Sequence, residues 1–194
     1  MDKNELIEKF KELNLQNQLS LEDIPELDLY MDQVTQLFDR KFNDSKRNKD
    51  DKALTKTMVN NYAKGNLLMS IKNKKYSKEH LILMSLIYNL KGGLSIGDIK
   101  SSLDRIVRAL EVGEEYPIRE LYRLYLEQYN KDLNDVENTI EEKNNSIEEM
   151  MINEKVEEDM EFQKNFLLLS SFINMSNMYR RMGEKLIDEY FSKL

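Results

Sequence analysis

The chain has no cysteine and one histidine, His80, among its 194 residues. Without Cys there is no disulfide, no thiolate metal site and no cysteine nucleophile. A lone imidazole excludes a multi-histidine metal site and leaves no second imidazole to share acid–base work. Glycine (6) and proline (2) are scarce. Both lie well below the usual ~7% and ~5%, which favours long helices over a turn-rich β architecture. No apolar run approaches the ~18 residues that a membrane helix needs. The opening MDKNELIEKF carries acids where a signal peptide has its apolar core. No glycine-rich phosphate loop is present. These absences predict a soluble cytoplasmic protein that is not an enzyme, uses no cofactor or metal, and does not engage a membrane.

The length fits one domain or two small ones, at roughly 100–200 residues per domain. Such a chain hides about 70% of its unfolded surface and needs no covalent staples. Lys+Arg number 29 against 36 Asp+Glu, a net charge of −7 and a pI near 5.0. That average argues against nucleic acid, but the charge is uneven. Residues 1–44 hold 5 basic and 11 acidic side chains, net −6. Residues 45–100 hold 12 and 4, net +8. Residues 101–194 hold 12 and 21, net −9. A basic middle between acidic flanks suggests a segment that faces a polyanion, although a solvated basic surface would read the same way.

Apolar residues recur at helical spacing along most of the chain. Leu6, Phe10 and Leu13 mark a short helix, residues 16–26 a connector, and Leu29, Val34, Leu37, Phe38 and Phe42 a helix over 28–42. Residues 43–53 are polar and loop-like. A short helix follows over 54–64, with Thr55 as its cap and Gly65 as its stop. Residues 69–76 read as a small turn or β-hairpin. Ser77 caps the next helix, with His80 near its start as a surface or wing-packing residue. Gly92-Gly93 ends that helix and Ser95 caps another. Tyr116-Pro117 opens a helix bearing Leu121, Tyr122, Tyr125 and Tyr129.

The helix at 54–64 has two unlike faces. Val59 and Tyr62 lie three apart and point to a core. Lys56, Asn60 and Lys64 lie at i, i+4 and i+8, with Thr57 and Asn61 in the next row. Asn can read adenine, Lys can reach guanine or phosphate, and Thr suits base or backbone. The turn that follows brings Lys72, Lys74, Lys75 and Tyr76, placed as a wing would lie along phosphate. The same spacing also suits a polar solvent face followed by a surface turn.

This segment resembles the winged helix-turn-helix of the MerR regulators. Their helix reads Val-Ser-x-x-Thr-Ile-Arg-Tyr-Tyr-Glu-x-x-Gly-Leu-Leu, followed by a basic wing and Gly-Phe-Ser-Leu-x-x-Ile. Leu54-Thr55, Val59, Tyr62 and Leu67-Leu68 match the first motif, and Gly93 to Ile99 (GLSIGDI) match the last. Asn60 stands for the family's Arg, Asn61 for its first Tyr and Ala63 for its Glu, and Gly65 falls one position early. Residues 24–104 resemble more closely a family from low-GC Gram-positive bacteria, domain of unknown function 1836. The carrying segments are IPELDLYMDQV, DDKALTKTMVNNYAKGNLL and KKYSKEHLILMSLIYNLKGGLSIGDIK. That likeness implies a bacterial regulator without assigning it an activity.

Residues 147–191 contain one glycine, Gly183, and no proline. The spacing of Val156, Met160, Leu167, Phe172, Met175, Tyr179, Met182, Leu186 and Tyr190 predicts one continuous helix. At ~40 residues it would be ~60 Å long, too long for one core to cover, so part of its stripe should meet a partner. Six of the 11 Met fall in the last 45 residues. They suit a Met- and Tyr-rich helical core, or an adaptable pocket. The acids at 157–161 read as a solvated face.

These signs predict an all-α protein: a MerR-like winged helix-turn-helix module with a small β-wing, plus a bundle of long C-terminal helices. Its parts would be an N-terminal arm (1–23), the winged domain (24–104) and a dimerisation or effector domain (105–194). The expected function is transcription regulation by a homodimer. It would hold double-stranded DNA through Lys56, Thr57, Asn60, Asn61, Lys64, Lys72, Lys74, Lys75 and Tyr76, and the pattern names no small-molecule effector. The alternative is an interaction module whose winged helix no longer binds DNA.

Overall fold

The computed structural model describes residues 3–48 and 50–193. It is mostly helical, with a single two-stranded sheet among those residues. The order is α1 (Lys3–Glu12), β1 (Leu29–Tyr30), α2 (Met31–Phe42), α3 (Lys56–Lys64), β2 (Lys75–Tyr76), α4 (Lys78–Leu90), α5 (Ile96–Glu111), α6 (Ile118–Asn153) and α7 (Met160–Glu189).

The helix expected over 28–42 starts late. Leu29 and Tyr30 are extended and pair antiparallel with Tyr76 and Lys75. The Gln33 side chain accepts from the Tyr30 N–H at 2.9 Å, so Tyr30 is the helix cap and not a helical residue. The caps expected at Thr55, Ser77 and Ser95 are all in place.

The single helix expected over 147–191 is two helices. The helix opened at Pro117 runs unbroken through Asn144-Asn145 to Asn153, and the chain turns at 154–159. Lys155 and Asp159 adopt left-handed backbone, with φ of 52° and 54°. The Val156 N–H donates to the Met151 carbonyl at 3.0 Å, and both side chains join one apolar cluster. This is a Schellman stop built on a lysine, where glycine is usual. It costs on the order of 1 kcal/mol for the left-handed residue, which the apolar contact offsets. The acids at 157–161 are exposed, as expected of a solvated face, and occupy this turn and the first turn of α7, where the helix dipole favours negative charge.

Two cores result. The larger gathers Leu19, Val34, Phe38, Phe42, Val59 and the buried face of α4, and extends to Ile118 and Tyr122 of α6. It therefore reaches past both boundaries drawn at 24 and 104. The Tyr122 hydroxyl donates to the Leu19 carbonyl at 2.5 Å and lies 2.8 Å from the Ser85 hydroxyl. Burial pushes this phenol up to about 12. The smaller core joins α1, the far half of α6 and α7 through Leu6, Ile140, Ile147, Met151 and Leu168.

Candidate nucleic-acid interface

Local chemistry fixes α3. Thr55 Oγ1 accepts from the Met58 N–H at 3.1 Å. Val59 and Tyr62 are buried, and burial raises the Tyr62 phenol. At the other end the Leu67 N–H donates to the Tyr62 carbonyl at 2.9 Å. Asn66 takes the left-handed conformation there, with φ of 56°. A Cβ on Gly65 would lie 2.7 Å from Leu67 Cδ1 and 3.2 Å from the Asn61 carbonyl, so the buried Leu67 side chain would have to shift. The outward face carries Lys56, Thr57, Asn60, Asn61 and Lys64, all exposed. Both rows expected from the spacing thus face solvent.

The segment expected as the wing, residues 72–75, is a tight turn. Asn73 and Lys74 both have positive φ, 52° and 59°, and the Lys75 N–H donates to the Lys72 carbonyl at 2.9 Å. That is a type I′ hairpin turn, whose twist matches the flanking strand. Lys72 and Lys74 are exposed at its tip and Lys75 is half-buried. The main strand partner of 75–76 is 29–30, so the wing is tied to the start of α2.

Tyr76 corrects the expectation. Its ring is 5% exposed and meets His80 edge-on at 5.7 Å. Alternation along the two-residue strand turns Lys75 outward and Tyr76 inward, so Tyr76 holds the wing from beneath and presents nothing to a ligand. His80, 5% exposed, packs the same place. Its Nδ1 accepts from the Ser77 N–H at 3.1 Å. Its Nε2 therefore carries the proton and donates to the Met69 carbonyl at 3.2 Å. Burial pushes the imidazole below the ordinary histidine range. The Ser70 N–H donates to Glu111 at 2.6 Å, and the Ser70 hydroxyl together with this N–H holds that carboxyl below its usual value.

The start of α2 brings helix and wing together. Lys56 pairs with Asp32, and Lys75 Nζ lies 5.0 Å from the centre of the Tyr30 ring. The basic excess of residues 45–100 is also narrower than its count. Lys46 and Lys52 lie 3.4 and 3.9 Å from Asp39. Lys78 is buried on Glu26 at 2.6 Å. Lys91 sits over Tyr88 at 4.5 Å, and burial lowers its pKa. Of the segment's cations, Lys64, Lys72 and Lys74 are exposed on α3 and the 72–75 turn, and Arg47 is exposed in the loop before α3. Sequence spacing missed two neighbours. Tyr30 is exposed beside the wing, and Lys100 of α5 shares a cleft with Asn60. Lys100 belongs to the basic segment, but no local pattern marks it.

Residues 19–125 match the family model described as Domain of unknown function (DUF1836). The chain belongs to this family. The match covers more than half of the chain and coincides with the larger core, whose fully buried members run from Leu19 to Tyr122. The DUF1836 segment thus contains α2 to α5 and the first turns of α6, while α1, α7 and the rest of α6 lie outside it. No curated protein and no solved structure matches the chain.

Proposed function

We propose that this DUF1836 protein is a transcriptional regulator that binds double-stranded DNA, with α3 in the major groove and the 72–75 turn on phosphate. The observation that carries this reading is the sidedness of α3. Two apolar residues are buried, every polar one is exposed, and a lysine-tipped wing is fixed to the same end of α2. Helix α3 then supplies base contacts and the wing supplies register. A MerR-like winged helix fits the left-handed residue after α3. Asn66 occupies the position, just before Leu67-Leu68, where that family carries its glycine.

A homodimer through the C-terminal helices completes the reading. Phe162, Phe166, Leu169 and Ile173 follow one another at spacings of 4, 3 and 4 and are all more than half exposed. That is a coiled-coil seam without a partner among the described residues. Dimeric helix-turn-helix modules place two recognition helices about one duplex turn apart.

Selection from a random duplex library at ~0.1 M salt tests the reading, and one enriched sequence is expected. Replacing Lys74 and Lys75 together with Ala should weaken binding to every sequence and flatten the salt dependence by about two units of slope. No enrichment from a dimeric protein would overturn DNA binding and favour the interaction module. Wild-type salt dependence in the double variant would overturn the wing assignment.

A further inference from the structure

Helices α1, α6 and α7 enclose a cleft of about 860 Å³ in the region outside the family match. That volume is within the usual ~300–1,000 Å³ of a small-molecule site. Its floor is Leu6, Ile140 and Phe172, buried or half-buried, and its mouth is Leu13, Val136 and Tyr179, all exposed. Few polar groups face it. Thr139 and Ser176 offer hydroxyls from opposite walls, and Asp135 and Asp132, both exposed, stand about one and two turns before Thr139 on α6. Lys9 also lines the cleft, but it lies 3.0 Å from Glu12, so its charge is matched. Asp132 accepts from Gln128, a neutral group, at 2.8 Å. The mouth is therefore negative over an apolar interior.

A second copy of the chain has a different face to use. The seam at Phe162, Phe166, Leu169 and Ile173 lies roughly 100° around α7 from Phe172, Met175 and Tyr179, at 100° per residue. The two surfaces meet at Leu169 and Ser176, about 20° apart on the same projection, but their centres face different ways.

We propose that this cleft binds an apolar molecule carrying one positive charge, with the chain of the ligand on the Leu6–Ile140–Phe172 floor and its cationic end between Asp132 and Asp135. Desolvating the apolar part supplies most of the affinity, and the two carboxylates supply the choice of charge. The proposal stands whether or not the protein binds DNA.

Calorimetric titration of the full chain with decylamine, decanol and decanoate tests it, because the three share one alkyl chain. Decylamine should bind most tightly, about tenfold better than decanol and better still than decanoate. Asp132→Asn with Asp135→Asn should bring the three within about threefold of one another. Val136→Trp and Ser176→Phe fill the cleft from opposite walls, and each should abolish binding of all three while leaving the helical circular dichroism unchanged. Equal binding of the three by the wild-type chain would overturn the charge assignment. No binding of any, or binding that survives both filling variants, would overturn the site. A dimer that falls to a monomer on filling the cleft would show that a second copy occupies it, and would overturn the small-molecule reading.

Discussion

The two cores of this molecule are built to different standards. The larger one closes on itself. Phe38, Phe42 and Tyr88 pack in series as tilted pairs, with centroids 5.9 and 4.4 Å apart. Ser85 and Tyr122, its buried hydroxyls, are bonded to each other. The smaller one is left open. Around it Phe162, Phe166, Leu169, Tyr179, Met182 and Leu186 are exposed. Within α6 and α7 the side-chain oxygens of Asn144 and Asn165 are buried without a hydrogen-bond partner. A core that satisfies its own groups folds for its own sake. A helix layer with uncovered apolar faces offers the surface that the proposed second copy would cover.

The largest test of this contrast is a pair of truncations. Phe38→Ala in the closed core should cost about 3–5 kcal/mol of stability, from lost burial and the cavity left behind. Phe166→Ala should change unfolding by under about 1 kcal/mol in a monomer while weakening any dimer. Denaturant unfolding beside the mass in solution separates the two. Equal losses of monomer stability would break the comparison.

A smaller effect lies at the wing. The folded pKa of His80 is held below that of the unfolded chain by burial. Below about pH 6.5 the unfolded state therefore takes up this proton first, and stability falls as pH drops. Protonation also places a second N–H against the Ser77 N–H. Unfolding free energy should be lower at pH 5.5 than at 7.5, and His80→Gln should remove most of that difference. A slope unchanged in the variant would assign it to other groups.

The smallest effect carries the opposite sign. Asn144→Leu removes an unpartnered buried oxygen, so the melting temperature should hold or rise by a few degrees. A clear fall would mean that Asn144 has a partner in the assembled protein.

Much of the candidate interface was legible because its determinants are local. Thr55, the Val59–Tyr62 pair and the polar rows of α3 act within a few residues of one another. What escaped the sequence depends on distant partners. Asp39 and Glu26 neutralise lysines that a segment count leaves free. Tyr76 faces inward because residues 29–30 pair with its strand, and two residues are too few to show alternation. The end of α6 was hidden for another reason. Lys155 takes a conformation that composition assigns to glycine, so the apolar period runs across a chain reversal.

Helix α6 ties these regions together. Its 36 residues make a rod of about 54 Å. Near its start Arg119 reaches Glu26 and Glu79 at 3.1 and 2.7 Å, latching it to the larger core's elements. Its last turns lie in the open core through Ile147 and Met151, and Asp132 to Ile140 line the cleft midway along the shaft. One continuous helix therefore carries both the Arg119 latch and the cleft wall. A ligand held there, as proposed, would touch the same element that Arg119 ties to Glu26 and Glu79.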